Sequence, residues 1–310
     1  MTDSLAERRE EVPRVSILCT AFNEERHLGA MLRSVCEQTM PAWEMLIIDD
    51  DSTDRTVEIM RSFAAADTRI RILSTGRKLG KVGAFNLAFA ASRGNWIVLM
   101  GADDIMPPRS LEGRLRALSG ISHTTRAAGF FKLKTLSEDP RLDGKILPRS
   151  SSGSRSGPSI TLSRPLAQEL FPVPEVLPSE DPWLGEAANA RATSVVHDSH
   201  VVVHYRIHQG NSSPRNKPFS QMNEAIAARG QTYALVLAHE RDWNLSDESV
   251  LRLRRLVRAE NMRYHGRTLR LLVASGLPLA DRLALAAQSD PRLYLLRNRF
   301  YSLLAGRRGR

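Results

Sequence analysis

The sequence predicts an α/β fold with a mostly parallel central sheet and a helical C-terminal extension, and three observations predict it. Short apolar runs alternate with stretches whose apolar residues recur every three or four positions, the pattern of strands joined by crossover helices. Two of the runs end in acidic clusters: Asp49-Asp50-Asp51 follows Met45-Leu46-Ile47-Ile48, and Asp103-Asp104 follows Trp96-Ile97-Val98-Leu99-Met100. From Phe219 onward the strand-like runs stop and the pattern is helical.

The elements follow in order. Val15 to Thr20 forms a first strand, and Asn23-Glu24-Glu25 leads into a helix with Leu28, Met31, Leu32, Val35 and Cys36 on one face. Met45 to Ile48 is a second strand. Ser52 fits the N-cap of the next helix, with Asp54 in its first turn and Val57, Met60 and Phe63 buried. Ile70 to Leu73 is a third strand, and Val82, Phe85 and Phe89 mark a third helix that Gly94 would close. Trp96 to Met100 is the fourth strand. Ser137 to Ser159 holds Pro140, Pro148, Pro158, three glycines and a serine cluster, so its composition is that of a mobile loop, either a solvated insertion or a lid. Helices are expected over Gln221 to Glu240, Asp247 to Ser275 and Leu293 to Leu304.

Composition narrows the function. No apolar stretch reaches the roughly 18 residues of a spanning helix. Met1 to Arg14 is polar and acidic, unlike a signal peptide, and two cysteines, Cys19 and Cys36, read as buried and reduced, which suits the cytoplasm. The net charge of +10 is unevenly placed. From Leu251 there are 14 Arg and no Lys against Glu260, Asp281 and Asp290, or +11, which leaves the first 250 residues at −1 (30 basic, 31 acidic). The basic character thus belongs to the C-terminal segment. Nucleic-acid binding is not expected, because acidic clusters occupy the sheet edge and the tail carries no known module.

Carboxylates at the ends of parallel strands stand where open α/β sheets bind ligands. Gathered there they repel one another unless a cation or ligand donor joins them, which points to a divalent metal and a phosphorylated substrate. The segment Gly76-Arg77-Lys78-Leu79-Gly80-Lys81 is not a P-loop: its glycine spacing is one residue short and Val82 replaces Ser/Thr. A basic loop entering a helix can still meet a diphosphate. No G-x-G-x-x-G follows the first strand, which argues against a dehydrogenase.

Five blocks, taken together, resemble the inverting family 2 glycosyltransferases of GT-A fold. They are Val15 to Glu24, Ile47 to Asp54, Gly101-Ala102-Asp103-Asp104, Ser179-Glu180-Asp181-Pro182-Trp183-Leu184, and Tyr205-Arg206-Ile207-His208-Gln209-Gly210-Asn211-Ser212-Ser213. The resemblance implies a tail over 1–13, a catalytic domain over 14–215 (nucleotide-sugar half about 14–105, acceptor half about 106–215) and a helical, Arg-rich region over 216–310. It implies transfer of one sugar, hexosyltransferase-like and of the kind used in polysaccharide biosynthesis, from a nucleotide-sugar donor to a hydroxyl of a glycan or lipid-linked acceptor.

Residue by residue, it implies that Thr20, Ala21, Phe22, Glu24 and Asp50 meet the donor nucleotide, with Asp103 shared between nucleotide and metal; the basic loop adds Lys81 as a candidate contact to the diphosphate. Asp103, Asp104 and His208 would serve Mn²⁺ or Mg²⁺; Gly101 stands where the commoner motif has a first Asp. Asp181 would be the general base, with Glu180 and Trp183 on the acceptor side, although Trp183 equally suits a core. A nucleotide-binding, catalytically weak scaffold of the same fold is the alternative, with Gly101 the feature in its favour. In the tail, Leu293, Leu296, Phe300, Leu303 and Leu304 fall on one helix side, among Arg292, Arg297, Arg299, Arg307, Arg308 and Arg310. That pattern suits either an anionic membrane surface at the inner face or packing on the catalytic domain.

Overall fold

The computed structural model describes residues 12–208 and 218–299, the side chains of Ala274, Asn298 and Arg299 excepted. Its elements run β1 (Val15–Ala21), α1 (Leu28–Cys36), β2 (Trp43–Asp49), α2 (Thr56–Ala66), β3 (Ile70–Leu73), α3 (Gly80–Ala90), β4 (Trp96–Gly101) and α4 (Ser110–Ala117). Then follow β5 (Ala127–Ser137), β6 (Ile146–Leu147), β7 (Ile160–Ser163), α5 (Arg164–Leu170), α6 (Asp181–Arg191) and β8 (Ser194–Ile207). Five helices come after: α7 (Phe219–Ala238), α8 (Asp247–Tyr264), α9 (Thr268–Ala274), α10 (Leu279–Ala286) and α11 (Pro291–Arg299).

One eight-stranded sheet carries the site, in the order β3-β2-β1-β4-β7-β5-β6 with β8 pairing β5. β3, β2, β1 and β4 are mutually parallel, as are β5 and β8, while β7 runs against both β4 and β5. The sheet is therefore parallel through its first four strands and mixed beyond them. Both faces are covered, so β1 and β2 read as continuous apolar runs rather than alternating ones. Leu18, Leu46 and Ile48 face one core with Phe85, Phe130 and Trp183, while Ile17, Cys19, Met45 and Ile47 face another with Leu28, Met31 and Phe131.

Several sequence expectations are corrected. Ser52 does not cap α2, which starts four residues later at Thr56; its hydroxyl accepts from Asn23 N–H, and Asp54 accepts from Thr56 N–H at 2.9 Å. Gly94 does not close α3, whose C-cap is Ala91. It is small because a Cβ there would lie 2.5 Å from Ser16 N, and its N–H donates to the Ser16 hydroxyl. The helix expected over Asp247 to Ser275 breaks at Gly266, which has φ +66°, giving α8 and α9. Cys36 is only half-buried.

The segment expected to be mobile is tied down. The Lys132 ammonium on β5 donates to the carbonyls of Pro148, Ser150 and Ser152 at 2.9, 2.5 and 2.6 Å. In the tail, α11 turns Tyr294 inward against Phe219, while Leu296 is exposed. The expected positions from Phe300 to Arg310 lie outside the described residues, as do Gln209 to Ser213. Among the described residues no helix is long and apolar enough to cross a membrane.

Candidate active site

The parallel strands deliver their carboxyl ends to one edge, and the acidic clusters meet there. Asp50 follows β2 and is buried; its Oδ1 accepts from the backbone N–H groups of Leu79 and Gly80 at 2.6 and 3.0 Å. Asp50 thus serves the entry of α3, where helix-end N–H groups need an acceptor. This contact holds the basic loop against the β2 edge and places Lys78 over the exposed ring of Phe22, 3.2 Å from its centroid. Thr20 and Ala21 end β1 beside them.

Asp103 and Asp104 sit in the turn after β4, which the end of β8 clamps. Ile105 and His204 pair as a bridge, Arg206 N–H donates to Asp104 Oδ1 at 2.8 Å, and the Arg206 guanidinium donates to the Asp103 carbonyl at 2.7 Å. His208 Nε2 lies 3.0 Å from Asp103 Oδ2, and the His27 ring packs 5.0 Å from that of His208. Gly101 explains how the two carboxylates converge. A Cβ there would lie 2.8 Å from Asp104 Oδ2 and 2.9 Å from Asp103 Oδ1, so any larger residue would push into both.

Burial, then the charge of Asp103, raises Asp104 well above the usual carboxylate range. Glu24 is raised to about 7, by burial first and Asp103 second. Such a cluster gains from a cation. Among the described residues no three His, Cys, Asp or Glu side chains form a ready cage. Magnesium-type sites need none, because one or two carboxylates plus substrate phosphates complete the shell. The hard-oxygen pair over Gly101 fits such an ion.

Across from this turn stands the start of α6. Glu180 is 1% exposed, and Lys81 of α3 lies 2.9 Å from its Oε1; its Oε2 has no partner among the described residues. Burial and Asp181 raise the Glu180 carboxyl, against the pull of Lys81. Burial opposes the Lys81 charge, but Glu180 and Asp181 outweigh it and hold the ammonium above its ordinary range. Asp181 is half-buried, and its Oδ1 accepts from Gly157 N–H at 2.8 Å.

The expected residues fall into three contact groups: Asp50 at the α3 entry beside the Lys78–Phe22 pair and the end of β1, Asp103 and Asp104 with His208 and Glu24, and Glu180 and Asp181 at the start of α6 with Lys81. Lys81 is drawn to Glu180 rather than to the loop beside Asp50. Trp183 takes the core position that the sequence left open. It is 2% exposed, donates to the Leu170 carbonyl at 2.8 Å and packs on Trp243.

Three contributors have no role assigned from the sequence. Tyr205 feels burial and then Asp104, Asp103 and Asp181, which push its phenol up to about 12. Gly157 carries the N–H that meets Asp181. Arg114, fully buried on α4, donates to the carbonyls of Ile160 and Pro158 and to the Thr161 hydroxyl, bracing the turn from which Gly157 projects. No carboxylate pairs with Arg114 among the described residues, and burial disfavours its charge. A buried guanidinium without a carboxylate is an unusual sequence feature only once burial is known.

A sheet of this order, with acidic turns at its carboxyl edge and a strand returning antiparallel beside β4, is the GT-A fold. Residues 16–125 match the model of glycosyl transferase family 2. Over 98 residues the chain is 37% identical to the UDP-Glc:alpha-D-GlcNAc-diphosphoundecaprenol beta-1,3-glucosyltransferase WfgD of Escherichia coli, covering 32% of this chain and 38% of that protein. It is 31% identical over 103 residues to the putative teichuronic acid biosynthesis glycosyltransferase TuaG of Bacillus subtilis, covering 33% and 41%. The chain thus spans about two fifths of the curated relatives it matches. The solved structure of S. aureus TarS 1-349 in complex with UDP-GlcNAc superposes with a TM-score of 0.62 at 16% identity, covering 95% of this chain and 89% of that one. The mannosyltransferase PcManGT from Pyrobaculum calidifontis, in complex with GDP-Man and Mn²⁺, gives 0.59 at 17% identity, covering 95% and 86%.

Proposed function

We propose that the protein transfers one sugar, with inversion, from a nucleotide-sugar donor to a hydroxyl of a glycan or lipid-linked acceptor. The observation that carries this reading is the convergence at one sheet edge of Asp103 and Asp104 over Gly101, with Asp181 beyond them on the start of α6. The donors bound in similar structures, UDP-GlcNAc and GDP-Man, and the diphosphoundecaprenol-linked acceptor of the E. coli relative support the substrate classes.

In this reading the nucleobase lies by Asp50, the end of β1 and Phe22. Asp50 Oδ1 already serves the α3 entry, so its Oδ2 is the oxygen left to accept an imide or amide N–H. Asp103 and Asp104 would hold Mn²⁺ or Mg²⁺, with His208 orienting Asp103. When bound, the ion neutralises charge that develops on the leaving diphosphate. Asp181 takes the proton from the acceptor hydroxyl as that oxygen attacks the anomeric carbon from the face opposite the nucleotide. Gly157 N–H fixes the carboxylate through one oxygen and leaves the other for the hydroxyl. The Lys81–Glu180 pair sets the charge beside the base.

The test is a thermal-shift series with UDP, GDP and other nucleoside diphosphates, each with Mn²⁺ and with EDTA, followed by assay of nucleoside diphosphate release from the matching sugar nucleotides. Metal-dependent stabilisation by one nucleotide and turnover of its sugar form are expected. Failure of every nucleotide to bind would remove the reading.

A further inference from the structure

The C-terminal helices show more apolar surface than their own packing uses. Of the twelve most exposed large apolar side chains among the described residues, six lie on α9, α10 and α11. A concentration of that kind marks an interaction surface rather than ordinary scatter. On α9, Leu269 and Val273 are 80% and 81% exposed; on α10, Leu279 and Leu283 are 63% and 55% exposed. Each pair is spaced i, i+4 and so shares one side of its helix. The inner sides are satisfied separately: Leu271, Leu285 and Ala286 are buried with Leu256, Ala259 and Met262 of α8. Packing among the described residues therefore does not account for the outer side chains.

The hairpin that presents them is fixed. The Arg282 side chain donates to the carbonyls of Leu272 and Leu277, both at 2.7 Å, and Gly276 turns the chain with φ +70°. Charge supplies the second half of the argument. Between Tyr264 and Arg299 the sequence has six arginines, no lysine and two acids, a net +4 (6 − 2). Arg267 and Arg270 flank Leu269 and are exposed, and Arg292 is exposed on α11.

We infer that the outer side of the α9–α10 hairpin docks on an anionic lipid bilayer, with the four aliphatic side chains entering the headgroup boundary and the arginines meeting lipid phosphates. An arginine-rimmed face repels a second copy of itself. A nucleic acid would meet the arginines but leave the leucine and valine ridge without a use. A bilayer with acidic headgroups offers both an apolar layer and negative charge at the right depth. This inference stands apart from the glycosyltransferase reading, because neither the helices nor the test involve the acidic sheet edge.

The experiment is co-sedimentation of the full chain with phosphatidylcholine vesicles, with and without phosphatidylglycerol, at low and high salt. Binding is expected only with the acidic lipid and should fade at high salt. The variant L269S/V273S/L279S/L283S, whose changed residues are all exposed and whose melting curve should match wild type, should lose at least about tenfold in binding. R267E/R270E should lose at least about tenfold. A chain ending before Phe300 should still bind. Equal pelleting of the serine variant, no binding by wild type, indifference to acidic lipid, or loss of binding on that truncation alone would overturn the inference. So would a dimer that the serine changes dissolve, since a second copy would then cover the face.

Discussion

Gly157 N–H donates to Asp181 Oδ1 at 2.8 Å, so a glycine in the segment before β7 holds the carboxylate that opens α6. The glycine is required by space as well as by its N–H. A Cβ at this position would lie 2.5 Å from the same oxygen and 3.4 Å from Glu180 Oε1. Behind it Arg114 braces Pro158 and Ile160, so the bond is set from the core outward.

Gly157→Ala should therefore displace the Asp181 carboxylate while leaving the nucleotide end intact. A shift of about 1 Å in a reacting group costs about 10²-fold. We expect kcat to fall by about that factor with nucleotide affinity unchanged, measured by turnover and by calorimetric titration of the nucleoside diphosphate. Unchanged kcat would show that the carboxylate finds its place without this contact.

The carboxylate pair over Gly101 gives a second expectation. Asp103→Ala and Asp104→Ala should weaken nucleoside diphosphate binding in Mn²⁺ but scarcely in EDTA. Gly101→Ala, which keeps both carboxylates and crowds them, should cost about 10–100-fold in metal affinity, the usual weight of a disturbed metal shell. Equal losses with and without metal would place these residues in nucleotide contact alone.

Protonation of the same cluster should be visible in stability. Glu24 at about 7, Asp104 and Glu180 all have raised folded-state values. Such groups favour the fold while protonated, and that contribution is lost as pH rises through the folded value. The histidines with lowered values, His27, His197 and His204, act the other way but only below their ordinary 6.5. In EDTA, Tm should therefore decline from pH 6.5 to 8. Adding Mn²⁺ with nucleotide should restore most at the upper end. A Tm that rises across this window would contradict the assigned burial of these carboxylates.

The first four strands and their helices were legible because each apolar run is bounded by turn residues and both sheet faces are covered. The acidic turns were legible for the same reason: a carboxylate after a strand marks the ligand edge whatever lies between. Much of the second half was not. β8 pairs with β5 from more than sixty positions away, and its first half alternates half-buried and exposed residues, with only Val201 to Val203 as an apolar run. The roles of Tyr205, Arg206, Gly157 and Arg114 depend on where that strand and the braced turn return, which spacing along the chain does not encode. Trp183 shows the opposite difficulty, since its neighbours in sequence are site residues while its ring faces away from them.

Trp183 accordingly gives an expectation about stability rather than acceptor binding. Trp183→Ala should lower unfolding free energy by about 3–5 kcal/mol, as for other buried aromatics. Trp183→Phe should cost less, chiefly the hydrogen bond to Leu170, about 1 kcal/mol. Denaturant melts measure both. A Trp183→Ala protein of full stability with a raised acceptor KM would return the residue to the acceptor side.

The most direct test of the whole account is turnover by Asp181→Asn, compared with wild type on the sugar nucleotide whose diphosphate binds in Mn²⁺. The substitution keeps size and can still accept the Gly157 N–H, so the fold and nucleotide affinity should be preserved. Loss of the base should lower turnover by about 10²–10⁴-fold. Near wild-type turnover in a preparation free of contaminating transferase would contradict the assignment of Asp181, and with it the mechanism built around the start of α6.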